Sequence, residues 1–177
     1  MGTLDDLTAH APAIAEFFHR KVAAAGLCFL GTVRADGSPR VSPLEVWVHE
    51  GGLYAGSMPG AVKARDLQRD PRCCLVTPLA DKDDLAGEVK LFCQAREITD
   101  PVQWEGPRRA FEADRGFDMG EPGGANLFCF DVDAAAWQRV EGDDWRTTSW
   151  TADAGPRERT RAGGSEPPRD LRPPLLV

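Results

Sequence analysis

The segment from Gly56 to Lys63 gathers residue types that suit an anion: two glycines, a hydroxyl and a lysine around a Pro59-Gly60 break. Gly56 and Gly60 let backbone approach a ligand closely. Ser57 offers a hydroxyl donor. Residues 61–69 are good helix formers with no breaker, so their first amides point back at the break and favour negative charge. Lys63, in the first turn of that helix, supplies a charge suited to a phosphate. By itself the pattern fits an anion site, and it equally fits a solvated helix start with surface Lys and Arg.

Other chemistries have less support. The five cysteines, Cys28, Cys73, Cys74, Cys93 and Cys129, are odd in number and contain no CxxC. They read as buried thiols of a reducing compartment. His10, His19 and His49 are scattered, so no protein-ligated metal is expected. No Ser-His-Asp or Cys-His set stands out, and no catalytic residue is assigned. Asp83 and Asp84 read as a solvated turn. The net charge of −7 and a pI of about 5.0 argue against nucleic acid as a partner. No apolar run is long enough to span a membrane. The start MGTLDDL lacks a basic and then apolar leader, so a cytoplasmic location is expected.

The elements that position these residues follow from period and punctuation. Residues 3–25 read as helix with one break: Thr3 with Asp6 makes a capping box, Pro12 opens a second helix, and Gly26 stops it. Leu27 to Val33, Arg40 to His49 and Leu53 to Met58 then form a three-stranded meander, turned at Asp36-Gly37 and Glu50-Gly51-Gly52. After the short helix come a strand at 72–78, a long strand at 88–99, a helix at about 101–114, and strands at 126–132, 137–140 and 145–151. This is a count of six to eight strands, mostly in hairpin order, and it favours an antiparallel barrel or sandwich. Residues 1–151 form the folded domain. Residues 152–177, rich in Pro, Gly and Arg, read as a tail, disordered or an extended arm.

The stretch from Leu30 to Arg72 resembles the pyridoxamine 5'-phosphate oxidase-like family of split-barrel flavin-binding proteins. The matching pieces are Gly31-Thr32-Val33, Asp36-Gly37-Ser38-Pro39, Arg40-Val41-Ser42-Pro43, Leu53-Tyr54, Gly56-Ser57, Lys63-Ala64-Arg65-Asp66-Leu67 and Asp70-Pro71-Arg72. The resemblance covers roughly residues 10–140. It implies a mainly β fold with flanking helices, a six-stranded antiparallel split β-barrel that dimerises and holds FMN in a groove between subunits. On that reading Ser42, Pro43, Leu44, Glu45 and Val46 run along the cofactor, Gly56 and Ser57 lie near its phosphate, and Lys63 binds it. Val62 stands where relatives often carry Arg, and Glu88 aligns with a polar flavin contact of some members.

The C-terminal Arg-Leu-His-x-Arg type motif of the name-giving oxidases has no counterpart, Asp144-Trp145-Arg146-Thr147 being no match, so pyridoxamine phosphate is not the expected substrate. The resemblance implies a flavin-dependent oxidoreductase acting on another small molecule. The alternative is a non-catalytic cofactor carrier or sensor. The Ala-, Gly-, Arg- and Asp-rich composition fits a high-GC genome, in which the deazaflavin coenzyme F-420 is the alternative to FMN. A haem-handling relative would need a well-placed histidine; its lack counts against that reading, with His49 at a strand end left as the one candidate. Trp145 or Trp150 is a candidate to cover the ring from a neighbouring subunit.

Overall fold

The computed structural model describes residues 2–164, 166–167 and 169–170. In chain order the elements are α1 (Leu4–His10), α2 (Pro12–Ala25), β1 (Cys28–Val33), β2 (Pro39–Leu44), β3 (Trp47–His49), β4 (Gly52–Ser57), α3 (Val62–Arg69), β5 (Arg72–Val76), β6 (Glu88–Glu97), α4 (Pro101–Arg115), β7 (Asn126–Glu141), β8 (Asp144–Thr151), β9 (Gly155–Arg161) and β10 (Arg169–Asp170). Every strand pairing is antiparallel. This is the mainly β architecture with flanking helices that the resemblance implies.

One ladder runs β2-β1-β5-β6-β7, and β4 then pairs β7 on one side and β3 on the other. Only Glu45 and Val46 separate β2 from β3, so the two ends of this path meet through the chain. Counted as one interrupted strand, β2 and β3 join β1, β4, β5, β6 and β7 in a six-stranded set. The inward row Leu30, Leu75, Leu91 and Ala135 crosses β1, β5, β6 and β7 in register. Those residues share one core with Leu44, Leu53, Phe128, Phe130 and the apolar faces of α1 and α2. The capping box of Thr3 and Asp6 is formed, and Gly26 ends α2 in the left-handed conformation at φ 73°.

Three strand expectations change. The expected strand 40–49 breaks after Leu44, whose ladder partner is Cys28. Continuing the ladder would require Leu27 and Gly26, and Gly26 is already the α2 cap. The expected strands 126–132 and 137–140 are one strand, β7. Its Ala134-Ala135-Ala136 run has poor β propensity, but partners on both β6 and β8 override it. The register shifts between Phe92 and Cys93, leaving Asp133 as the extra residue of a bulge. There the Val132 amide donates to the Gly2 carbonyl at 2.9 Å, which docks the start of the chain.

Beyond Thr151, where only a tail was expected, the chain forms β9 against β8. Both faces of β9 are polar, so no hydrophobic period announces it. Ion pairs of Glu158 with Arg139 and Arg146 help to hold it. Pro168, Pro173-Pro174 and residues 175–177 of the expected tail lie outside the described residues.

Two further side chains differ from expectation. Asp84 is not a solvated turn residue: it ion-pairs with Lys21 of α2 and accepts from the Ala80 amide at 2.9 Å, with its side chain 13% exposed. Trp150 is 2% exposed in the core of its own chain and is not free to cover a ring elsewhere. Trp145 is 46% exposed.

Candidate functional site

The position of Lys63 is set by α3, and α3 is fixed by one buried carboxylate. Asp66 is 3% exposed and accepts from Thr32 Oγ1 at 3.0 Å and from Arg40 Nε at 2.7 Å. Arg69 also donates to it at 3.4 Å and to the Val33 carbonyl. Burial pushes the Asp66 carboxyl up, but the donors outweigh it and hold it below its ordinary 3.8. Ala64 and Leu67 bury the same helix face. The helix is thereby tied to both β1 and β2.

Lys63 Nζ donates to the Pro43 carbonyl at 2.9 Å. Among the described residues it has no carboxylate partner within 4.0 Å, and burial lowers its ammonium from the ordinary 10.5. Ala61 precedes α3 without a side-chain cap, so the first amides of the helix keep their donors. Ser57 at the end of β4 makes one weak contact, donating to the Met58 carbonyl at 3.4 Å. A half-buried cation, the residue before the uncapped helix start and a weakly bonded hydroxyl thus line one cavity.

That cavity has a volume of about 660 Å³. It gathers Pro43, Leu44 and Glu45 where β2 breaks, Gly56 and Ser57 at the end of β4, and Lys63. Three expected residues are not in its lining. Ser42 alternates to the other side of β2 from Pro43. Val46 is 2% exposed in the core, and Val62 is 50% exposed at the start of α3. Glu88 is likewise absent from the lining and ion-pairs with Lys90.

The opposite wall carries residues that no motif announced: Trp47, Phe111, Phe117 and Met119. Phe111 leans on Trp47 at 4.7 Å between ring centres, and Phe117 meets Phe111 edge-on at 6.4 Å. Trp47 Nε1 donates to the Pro107 carbonyl at 3.0 Å, which seats α4 over β3. Met119 closes over Gly56, where a Cβ would lie 2.9 Å from the Met119 methyl. The helical spacing of Trp104, Pro107 and Phe111 was a readable apolar stripe. Which sheet face it covers was not readable.

The family model for pyridoxamine 5'-phosphate oxidase matches residues 11–139, most of the chain. The chain belongs to the pyridoxamine 5'-phosphate oxidase family. Among curated proteins no sequence matches it. Solved structures show the same fold at low identity. A Clostridium acetobutylicum protein related to general stress protein 26 of B. subtilis is 14% identical, with a TM-score of 0.60 over 80% of this chain and 96% of that one. ChuZ of Campylobacter jejuni is 10% identical, with a TM-score of 0.67 over 91% and 67%. A heme binding protein from Mycobacterium smegmatis is 20% identical, with a TM-score of 0.55 over 82% and 56%. The family match begins at the cap of α2 and ends near the close of β7, so it includes both walls of the cavity.

No described helix is long and apolar enough to cross a membrane. No group of three or more potential metal ligands occurs among the described residues.

Proposed function

We propose that this chain binds FMN, or a related flavin-type cofactor, by its phosphate and uses it to oxidise or reduce a small molecule other than pyridoxamine phosphate. The carrying observation is that Lys63, the uncapped start of α3 and Gly56-Ser57 converge on one mouth of an otherwise apolar cavity.

The residues fit such a group. The cavity volume falls in the usual range for a small-molecule site, roughly 300–1,000 Å³. Lys63 has no carboxylate partner among the described residues, so a phosphate competes only with its hydrogen bond to the Pro43 carbonyl. The apolar wall of Trp47, Phe111, Phe117 and Met119 suits a flat ring system and excludes water. When bound, a flavin-type ring supplies the electron or hydride transfer, and the protein supplies position and field. Pro43 and Leu44 hold the near side. Glu45 is the one carboxylate in the lining and is placed to accept a hydrogen bond from a polar ring edge or side chain of the cofactor.

Homodimerisation is part of this proposal. Val41, Gly31, Cys74 and Phe92 form one cross-strand row over β2, β1, β5 and β6. Val41 is 70% and Phe92 45% exposed, and Phe29 on the next row is 41% exposed. Such an apolar outer face next to the cavity residue Pro43 suits a second subunit.

The test is mass spectrometry of the cofactor released from protein purified from its native host, with titration of FMN into the apoprotein. Saturable FMN binding that Lys63→Ala weakens supports the phosphate assignment; equal affinity in that variant rejects it. Turnover of the reduced cofactor with a panel of small acceptors supports the enzyme, and tight binding without turnover supports a carrier.

A further inference from the structure

A second cavity, of about 510 Å³, opens on the other side of α4. It is separate from the first: Trp47 lines one and Tyr54 lines the other, the two rings stack at 6.3 Å, and Trp47 bonds Pro107 between them. The second cavity is walled by His49 and Tyr54 from the β3–β4 hairpin, Arg96 from β6 and Gln103 from α4. Ile98 and Pro107 give it an apolar floor.

Two glycines make room for its rings. A Cβ on Gly106 would lie 2.5 Å from His49 Nε2, and a Cβ on Gly52 would lie 2.6 Å from the Tyr54 ring and 2.9 Å from its hydroxyl. The rings therefore fold into space that only glycine leaves open. Tyr54 and Arg96 both face Cys129 across neighbouring strands, which brings the phenol and the guanidinium into one row.

Arg96 offers an exposed positive charge at the groove. In an acidic chain, Arg40, Arg72, Arg108 and Arg139 each hold a carboxylate within 4.0 Å. Arg96 holds none among the described residues. Glu50 also lines the groove, but it reaches toward His49 at 3.8 Å and keeps its side chain 86% exposed. The exposed guanidinium is solvated, and with no ion pair to break it is available to an arriving anion. Arg96, His49, Tyr54 and Gln103 all have N–H or O–H groups to donate.

We propose that this groove is a second ligand site, distinct from the cofactor cavity, that takes a small organic carboxylate or phosphate. Arg96 meets the anion; His49, Tyr54 and Gln103 complete its hydrogen bonds, and the Ile98–Pro107 floor takes its apolar part.

The experiment is a titration of the full chain with benzoate and with inorganic phosphate, followed by two-dimensional NMR of the backbone amides. The expected result is saturable shifts at residues 49–54, 96 and 103–107, with benzoate the tighter of the two. Arg96→Met, checked for a native spectrum, is expected to weaken binding at least about tenfold, and Lys63→Met to leave it unchanged. The proposal fails if neither probe saturates by roughly 10 mM. It also fails if the shifts fall at residues 56–63 instead, or if Arg96→Met binds as the parent does. Because Lys63 serves only the first cavity, losing the flavin assignment would leave this result readable, and the reverse holds too.

Discussion

Lys63 and Glu50 are the residues whose environments demand most. Burial lowers the Lys63 ammonium from its ordinary 10.5. The lysine is charged below that lowered value and neutral above it, and only the charged form attracts a phosphate. Cofactor affinity is therefore expected to fall as pH rises, starting below the ordinary lysine range. Isothermal titration across alkaline pH measures this, and Lys63→Arg should remove the pH limb while keeping affinity. Lys63→Ala should weaken binding by about 1.5–3 kcal/mol at neutral pH, the scale of a hydrogen bond to a charged group. Glu50 sits in the two-residue β3–β4 turn at φ 45°, followed by Gly51 at φ 74°. That turn favours Asn-Gly, and a glutamate there is strained. Glu50→Asn is expected to stabilise the fold by about 1 kcal/mol in urea unfolding.

At the scale of elements, α3 owes its place to Asp66. The carboxyl sits below its unfolded 3.8, so its contribution is fully present above that pH and is lost as pH falls through the lower folded value. Asp66→Ala is expected to cost about 2–3 kcal/mol, because it leaves Arg40 and Arg69 without their buried partner. It should also weaken cofactor binding through the displaced Lys63, and the acid limb of the stability profile should shrink. Urea unfolding at pH 7 and pH 3 with a parallel cofactor titration tests both points. A variant that loses stability and keeps affinity would show that α3 is held mainly by Ala64 and Leu67.

For the whole molecule, cofactor binding and assembly are the readouts. Saturating FMN should raise the unfolding midpoint, by about 2.7 kcal/mol of stabilisation at a hundredfold excess over Kd. Phe92→Lys places a charge in the exposed row with Val41. It is expected to give a monomer in sedimentation and to lower cofactor affinity if the cavity is completed by the second subunit. A dimer that persists in Phe92→Lys would assign the interface to another face.

The sequence by itself determined local structure wherever one residue dictates one conformation. Thr3 with Asp6, Pro12, Gly26 and the Asp36-Gly37 turn act on neighbours a few residues away, and their elements stand where the sequence placed them. It also grouped Gly56, Ser57 and Lys63, which lie close together in the chain and line the same cavity. Tertiary structure alone decided the rest. The break at Glu45 depends on where α2 ends, in a different element. β7 overrides its alanines because two ladders hold it, and the polar β9 is held by ladder hydrogen bonds and ion pairs rather than by an apolar face. Phe111, Phe117 and Met119 reach the cavity only because α4 packs on Trp47, more than fifty residues earlier in the sequence. Local conformation is encoded by neighbours, whereas a cavity is made by which distant surfaces meet.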